Sequence, residues 1–297
     1  MYRPSFTIVI VCICTALCLA SCQYLQDESK QDTNKTPAQT ETAETPKKQP
    51  AGVLSIGSLS ANGEHTLIEG ASHSPMCKVS VEMEYPLGGN TGNISLGKLQ
   101  QTFMGTLPEN MRGNTPKNAA NNYVEAYIAN YKKEMEPHRK MAKRKDNTWM
   151  NYESKVTIKS LYNKHNFWGY TINDYSFTGG AHGMHTTGYN VIDLNSGKLL
   201  SLKSLFAEKD YPIINRLLRQ QLADDRGCTI EQLAGQSFET ENIVIDDNFM
   251  ISDSGITWVF NPYDIAPYST GTVYITLPYR AILGYLIADS PVKRIIK

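Results

Sequence analysis

The sequence predicts an α+β fold in which antiparallel sheets with inserted helices make two packed subdomains, and three patterns carry that expectation. Apolar and polar residues alternate with period two over many short stretches between residues 78 and 277. Stretches of three-and-four spacing interrupt them, and turns rich in Gly, Asn and Ser join neighbouring strands.

The first alternating stretch is 78–85, with Val79, Val81, Met83 and Tyr85 on odd positions, ended by Pro86 and Gly88-Gly89. From 115 to 133 the period changes: Ala120, Val124, Tyr127, Ile128 and Tyr131, then Met135, mark one face of a helix. Thr115 is its expected N-cap, Pro116 occupies the first helical position, and Pro137 stops it. The basic run 138–145 then complements a helix C-terminus and suits a solvated linker. Two strands, 152–161 and 167–177, are joined by the polar turn 163–166. After the loop 178–185 comes a hairpin, 189–194 and 198–202, turned by Asn195-Ser196-Gly197. A helix runs from Asp210 to Leu222, and a shorter one starts at the capping box Thr229-Ile230-Glu231-Gln232 and ends at Gly235. Strands at 243–251 and 256–260 follow, then the proline-broken segment 261–271, a strand at 272–277 and a helix opened by Pro278.

The N-terminus reads as an export signal. Arg3 precedes an apolar or small stretch of about 15 residues, short of the roughly 20 needed to span a bilayer. Leu19-Ala20-Ser21-Cys22 resembles the lipobox of bacterial lipoproteins, so residues 1–21 are expected to be removed and Cys22 to carry acyl chains that anchor the chain in a membrane. Residues 22–52, rich in Gln, Thr, Lys, Glu and Pro, form the expected disordered tether. Gln23 after the cysteine, by analogy with sorting rules, directs the anchor to the outer membrane of the cell envelope, with the folded part on its periplasmic or surface side. Once Cys12, Cys14 and Cys18 leave with the signal, Cys77 and Cys228 remain in the folded part. An even pair in an oxidising compartment suggests a disulfide, with two separately buried thiols as the alternative. Lys plus Arg and Asp plus Glu both number 29, a balance that argues against a nucleic-acid binder or a general polyanion trap.

Three stretches together carry a resemblance: Phe177-Thr178-Gly179-Gly180-Ala181-His182-Gly183 with residues 189–198, then Leu202-Lys203-Ser204-Leu205-Phe206, then 255–268 with Leu277-Pro278-Tyr279. In order and spacing they resemble the paired extracytoplasmic domain of RsiV-type anti-sigma factors, which sense lysozyme, and of the accessory region of PdaC-type peptidoglycan deacetylases. The resemblance implies an N-terminal α+β domain at 53–188 and a C-terminal one at 189–297. It further implies recognition of a lysozyme-like protein or of peptidoglycan glycan, without catalysis and without a cofactor. The chain departs from both better-known members, for nothing in it reads as a sigma-binding segment or a deacetylase domain.

Two sets of residues are candidates for chemistry. In 261–271, Pro262, Tyr263, Pro267 and Tyr268 suit a stiff aromatic loop at a sheet end that contributes to ligand recognition. The alternative function is a metal-dependent hydrolase acting on cell-wall sugars, with His182 and His185 as ligands and Asp174 or Asp193 as a third. It lacks the glutamate of His-Glu-x-x-His and any Cys-x-x-Cys partner.

Overall fold

The computed structural model describes residues 53–143 and 147–296. The expected signal at 1–21, Cys22 and the tether at 22–52 lie outside the described residues. All described residues fall in one compact unit, and among them no helix is long and apolar enough to cross a membrane.

The architecture is α+β, as the sequence pattern predicts. Six strands form the larger sheet in sequence order: β1 (Leu54–Thr66), β2 (Met76–Gly89), β3 (Tyr152–Lys164), β4 (Phe167–Thr178), β5 (Met184–Asp193) and β6 (Lys198–Leu199). All pairings are antiparallel except β2 with β3. That one is parallel because the chain crosses back between them through α1 (Leu96–Met104) and α2 (Pro116–Met135). Thr115 caps α2 by accepting from Asn118 N, and Ser95 caps α1 by accepting from Lys98 N.

Alternation decides what each face of this sheet meets. Val79, Val81, Met83, Val156, Ile158, Trp168, Tyr170 and Ile192 project to one face, where they pack with Leu99 and Phe103 of α1 and Ala120, Tyr123 and Val124 of α2. Each such large apolar side chain contributes about 1.5–3 kcal/mol on burial. From the other face Tyr162, Phe167 and Val191 enter a second core built by the C-terminal part. Gly169 is needed there, since a Cβ at that position would collide with the Met250 sulfur.

The C-terminal part consists of α3 (Leu202–Leu205), α4 (Tyr211–Asp225), α5 (Ile230–Gly235), a second antiparallel sheet of β7 (Phe249–Ile251), β8 (Gly255–Phe260) and β9 (Val273–Pro278), and α6 (Tyr279–Ile282). Ile214, Leu218 and Leu222 of α4 pack with Trp258, Ile275 and Leu277 in its core. The Thr229–Gln232 capping box forms as expected. The boundary expected between residues 188 and 189 falls inside β5.

Three local expectations change. The strand expected at 243–251 shrinks to Phe249–Ile251, because side chains take the backbone groups that a ladder would use: Ile245 N donates to Asn215 Oδ1 at 2.8 Å, and Asn248 N donates to Asp246 Oδ1 at 2.9 Å. The second strand of the 189–202 hairpin is only Lys198–Leu199, since Ser201 and Ser204 form the capping box of α3. The expected Cys77–Cys228 disulfide is absent, and both thiols are free. Cys77 is buried beside Leu67, Tyr131, Met135 and Met150, whereas Cys228 packs on the C-terminal core.

Candidate functional site: an aromatic loop pair beside a polar groove

The two loops singled out in the sequence meet. Residues 261–271 lead from β8 to β9, and residues 179–183 lead from β4 to β5. Tyr268 joins them: its ring stacks on His182 at 3.9 Å between centroids, 21° apart, and its hydroxyl donates to Gly183 O at 2.6 Å. Tyr263 extends the row, 5.7 Å from Tyr268.

The glycines of the 179–183 loop have separate reasons to be there. Gly179 has φ +82°, and a Cβ on it would strike the Trp149 carbonyl. Gly183 lies under the Tyr175 ring, which occupies the space of the missing side chain. A Cβ on Gly180 would meet only the His182 carbonyl oxygen, at 3.9 Å, an ordinary contact.

The 261–271 loop is held from within. Asn261 N donates to Asp264 Oδ2 at 2.6 Å, Tyr263 N donates to Ala266 O at 3.1 Å, and Ile265 and Ala266 are buried. Pro262 also faces inward, while Pro267 is exposed. The expectation of a stiff displayed loop thus divides, with Pro262 in the packing and Tyr263 and Pro267 outside. Tyr263 has φ +75° and is 57% exposed. A bulky side chain in the left-handed region is a real outlier, costing about 1–3 kcal/mol.

Beside this row a groove of about 460 Å³ runs along the face of the six-stranded sheet away from α1 and α2. It is lined by Lys155 and Thr157 of β3, Asn173, Asp174 and Tyr175 of β4, His185, Thr186 and Thr187 of β5, and Thr272 before β9. The Tyr175 and His185 rings lie 4.6 Å apart. Pairing puts Asn173, Tyr175, His185 and Thr187 on the groove face, and puts Asp174, opposite the buried Val156, on the helix face. Burial pushes the Asp174 carboxyl above the ordinary carboxylate range. Lys155, Thr157 and Asn173 carried no motif that would single them out. Their only signal was polar residues recurring on one strand face.

The metal constellation is not assembled. Asp174 and His185 occupy opposite faces of the sheet, His182 is stacked on Tyr268, and Asp193 at the far end of β5 accepts from Arg294 Nη2 at 2.6 Å. Among the described residues no group of three or more His, Cys, Asp or Glu is placed to hold a metal ion.

The fold and this surface define an α+β protein whose two larger cores meet through one sheet. Comparison with known proteins identifies the pairing. Residues 79–185 match the family described as deacetylase PdaC, and residues 203–280 match DUF3298, a protein family of unknown function. The chain thus carries the paired PdaC and DUF3298 domains. The crystal structure of a DUF3298 family member from Bacteroides fragilis is similar with a TM-score of 0.74 at 25% identity, over 83% of this chain and 99% of that one. A DUF3298 family protein from Pseudomonas aeruginosa is found at TM-score 0.48 and 18% identity, over 78% and 94% of the two chains. No curated protein matches the chain.

Proposed function

We propose that this chain is a lipid-anchored lipoprotein of the cell envelope whose folded part recognises cell-wall glycan through the loops at 179–183 and 261–271. The observation that carries this reading is Tyr263. The loop holds an exposed tyrosine in the left-handed region, next to a stacked tyrosine and histidine. The turn at Tyr263 needs no ring to close it, and backbone strain under a bulky side chain left 57% exposed is of the kind that concentrates at functional sites. Rigid aromatic rings combine a flat apolar face with a polar edge, which suits sugar rings. The PdaC match favours a peptidoglycan setting, and the hydroxyl and amide side chains of the groove beside the rings favour a glycan, whose hydroxyls they can hydrogen-bond.

The test is binding of the purified full chain to peptidoglycan fragments and, separately, to lysozyme, with Tyr263→Gly and Tyr263→Ala. Glycine relieves the left-handed strain while removing the ring, so Tyr263→Gly is expected to melt no lower than the parent and to lose glycan binding. Full glycan binding by a stable Tyr263→Gly would remove the loop from the site. Binding to lysozyme alone would replace glycan by protein as the ligand.

A further inference from the structure

We propose that the groove on the open sheet face is a subsite for one or two neutral sugar rings, with Asn173, Thr157 and the Lys155–Glu82 pair as its specificity-determining groups. The inference rests on the glycan reading above and narrows it to a chemical class. Size sets the first bound: about 460 Å³ lies in the lower part of the range of small-ligand sites, room for a short saccharide. The lining sets the second. Its residues are threonines, one amide, one ammonium, one imidazole, one phenol and one carboxyl turned to the other face, so hydroxyl and amide groups alternate with methyl and ring surface, the mixture that a sugar ring presents in return.

Charge sets the third bound. Lys155 Nζ lies 3.3 Å from Glu82 Oε1, on the neighbouring strand and the same sheet face. The ammonium therefore arrives already neutralised, and the groove does not select a polyanion. A paired ammonium and carboxylate offer the ammonium's remaining donors and several acceptor lone pairs side by side, which is what vicinal hydroxyls require.

Asn173 gives the site a direction. Its Oδ1 accepts from Thr187 Oγ1 at 3.0 Å, with Thr171 Oγ1 farther off at 3.5 Å, which orients the amide and leaves Nδ2 as a donor with no hydrogen-bond partner among the described residues. Thr187 is itself held, its backbone N–H bound to Asn261 Oδ1. The Tyr175 and His185 rings supply an apolar surface against which the C–H face of a pyranose packs.

The test titrates the full chain with N,N′-diacetylchitobiose, with its tetramer, and with a disaccharide bearing the lactyl carboxylate of muramic acid. Calorimetry or saturation-transfer NMR is the readout, and thermal midpoints are taken in parallel. The neutral saccharides are expected to bind, and Asn173→Ala, Thr157→Val and Lys155→Met each to weaken them about tenfold, the equivalent of one good hydrogen bond. Should Asn173→Ala lower the midpoint, Lys155→Met, altering a half-exposed side chain, still decides. Neutral saccharide affinity that none of the three variants changes overturns the subsite. So does tenfold tighter binding of the carboxylate-bearing disaccharide. If neutral saccharides fail to bind while peptidoglycan binding still depends on Tyr263, the groove assignment is wrong and the glycan reading stands. If no cell-wall glycan binds at all, both fall.

Discussion

Asn261 closes the outer edge of β5 at Thr187: its Oδ1 accepts from Thr187 N at 2.6 Å and its Nδ2 donates to Thr187 O at 3.2 Å. Asn248 does the same two residues on, accepting from Tyr189 N at 2.7 Å and donating to Thr187 O at 3.0 Å. Two side-chain amides from the C-terminal part thus stand in for a neighbouring strand, which answers the hazard of an open edge. Asn261→Ala and Asn248→Ala each leave a backbone N–H unpaired and are expected to lower stability by about 1–3 kcal/mol. Urea midpoints give the loss, and amide exchange at Thr187 and Tyr189 shows where it falls.

Alanine at three loop glycines should separate by position. Gly179→Ala meets both a positive φ and the Trp149 carbonyl, and is expected to cost about 1–3 kcal/mol or more. Gly183→Ala must displace the Tyr175 ring, a groove wall, so its larger effect should be on saccharide binding. Gly180→Ala, which meets only an ordinary contact with the His182 carbonyl, should change neither. Equal effects at all three would contradict the loop geometry.

Acid should stabilise the region around Asn248. The Asp246 residue is exposed, yet its carboxyl is desolvated and flanked by Asp264 and Asp247, which together push it up to about 6, with desolvation the larger cause. For an acid whose folded value is raised, the native state binds a proton before the unfolded state does, so this group's contribution to stability grows as pH falls from about 6 towards the ordinary aspartate value near 4. Asp246→Asn should therefore raise the thermal midpoint at neutral pH and flatten its pH dependence across that window. The asparagine Oδ1 retains the bond from Asn248 N.

Asp193 and Arg294 pin the C-terminal turn to the main sheet. Asp193 is 7% exposed at its side chain, accepts from Arg294, Ser196 and the Asn195 N–H, and the guanidinium also lies 4.1 Å over the Phe167 ring. Arg294→Met strands a buried carboxylate and should cost about 1–3 kcal/mol. Arg294→Lys should recover only part, because the planar stacking is lost. Denaturation midpoints of the two variants check the order.

The two thiols should behave as free and unlike. Burial pushes Cys77 up to about 12, so alkylation of the native chain followed by peptide mapping is expected to label Cys228 and to reach Cys77 only after unfolding. Recovery of a peptide linked through Cys77 and Cys228 would restore the disulfide that the sequence suggested.

What could be read in the sequence was local. The α2 and α5 boundaries were legible because Thr115, Pro116 and the Thr229 capping box act within one turn. The β3–β4 hairpin was legible because two alternating runs flank a polar turn, where His165 and Asn166 both adopt positive φ. β1 was not read as a strand, since its apolar residues fall on even positions at Leu54 and Ile56 and on odd ones at Leu59 and Ala61. Nor was α1, whose signal is only Ser95, Leu99 and Phe103 over nine residues. Tyr263 and Tyr268 could be chosen from their loop, but their stacking with His182 joins segments more than eighty residues apart. No local pattern encodes that.

The bulge in β3 has a consequence for chain length. Ser160 pairs with Tyr170 and Tyr162 with Gly169, so Leu161, 53% exposed, is the extra residue. Tyr162 reaches the C-terminal core because of its partner, Gly169, and not because of its parity with Val156 and Ile158. A chain deleted of Leu161 would restore a regular ladder with every inward side chain still inward. This hairpin therefore holds a spare residue in mid-strand, a place where the fold can absorb a one-residue deletion as readily as a surface loop would.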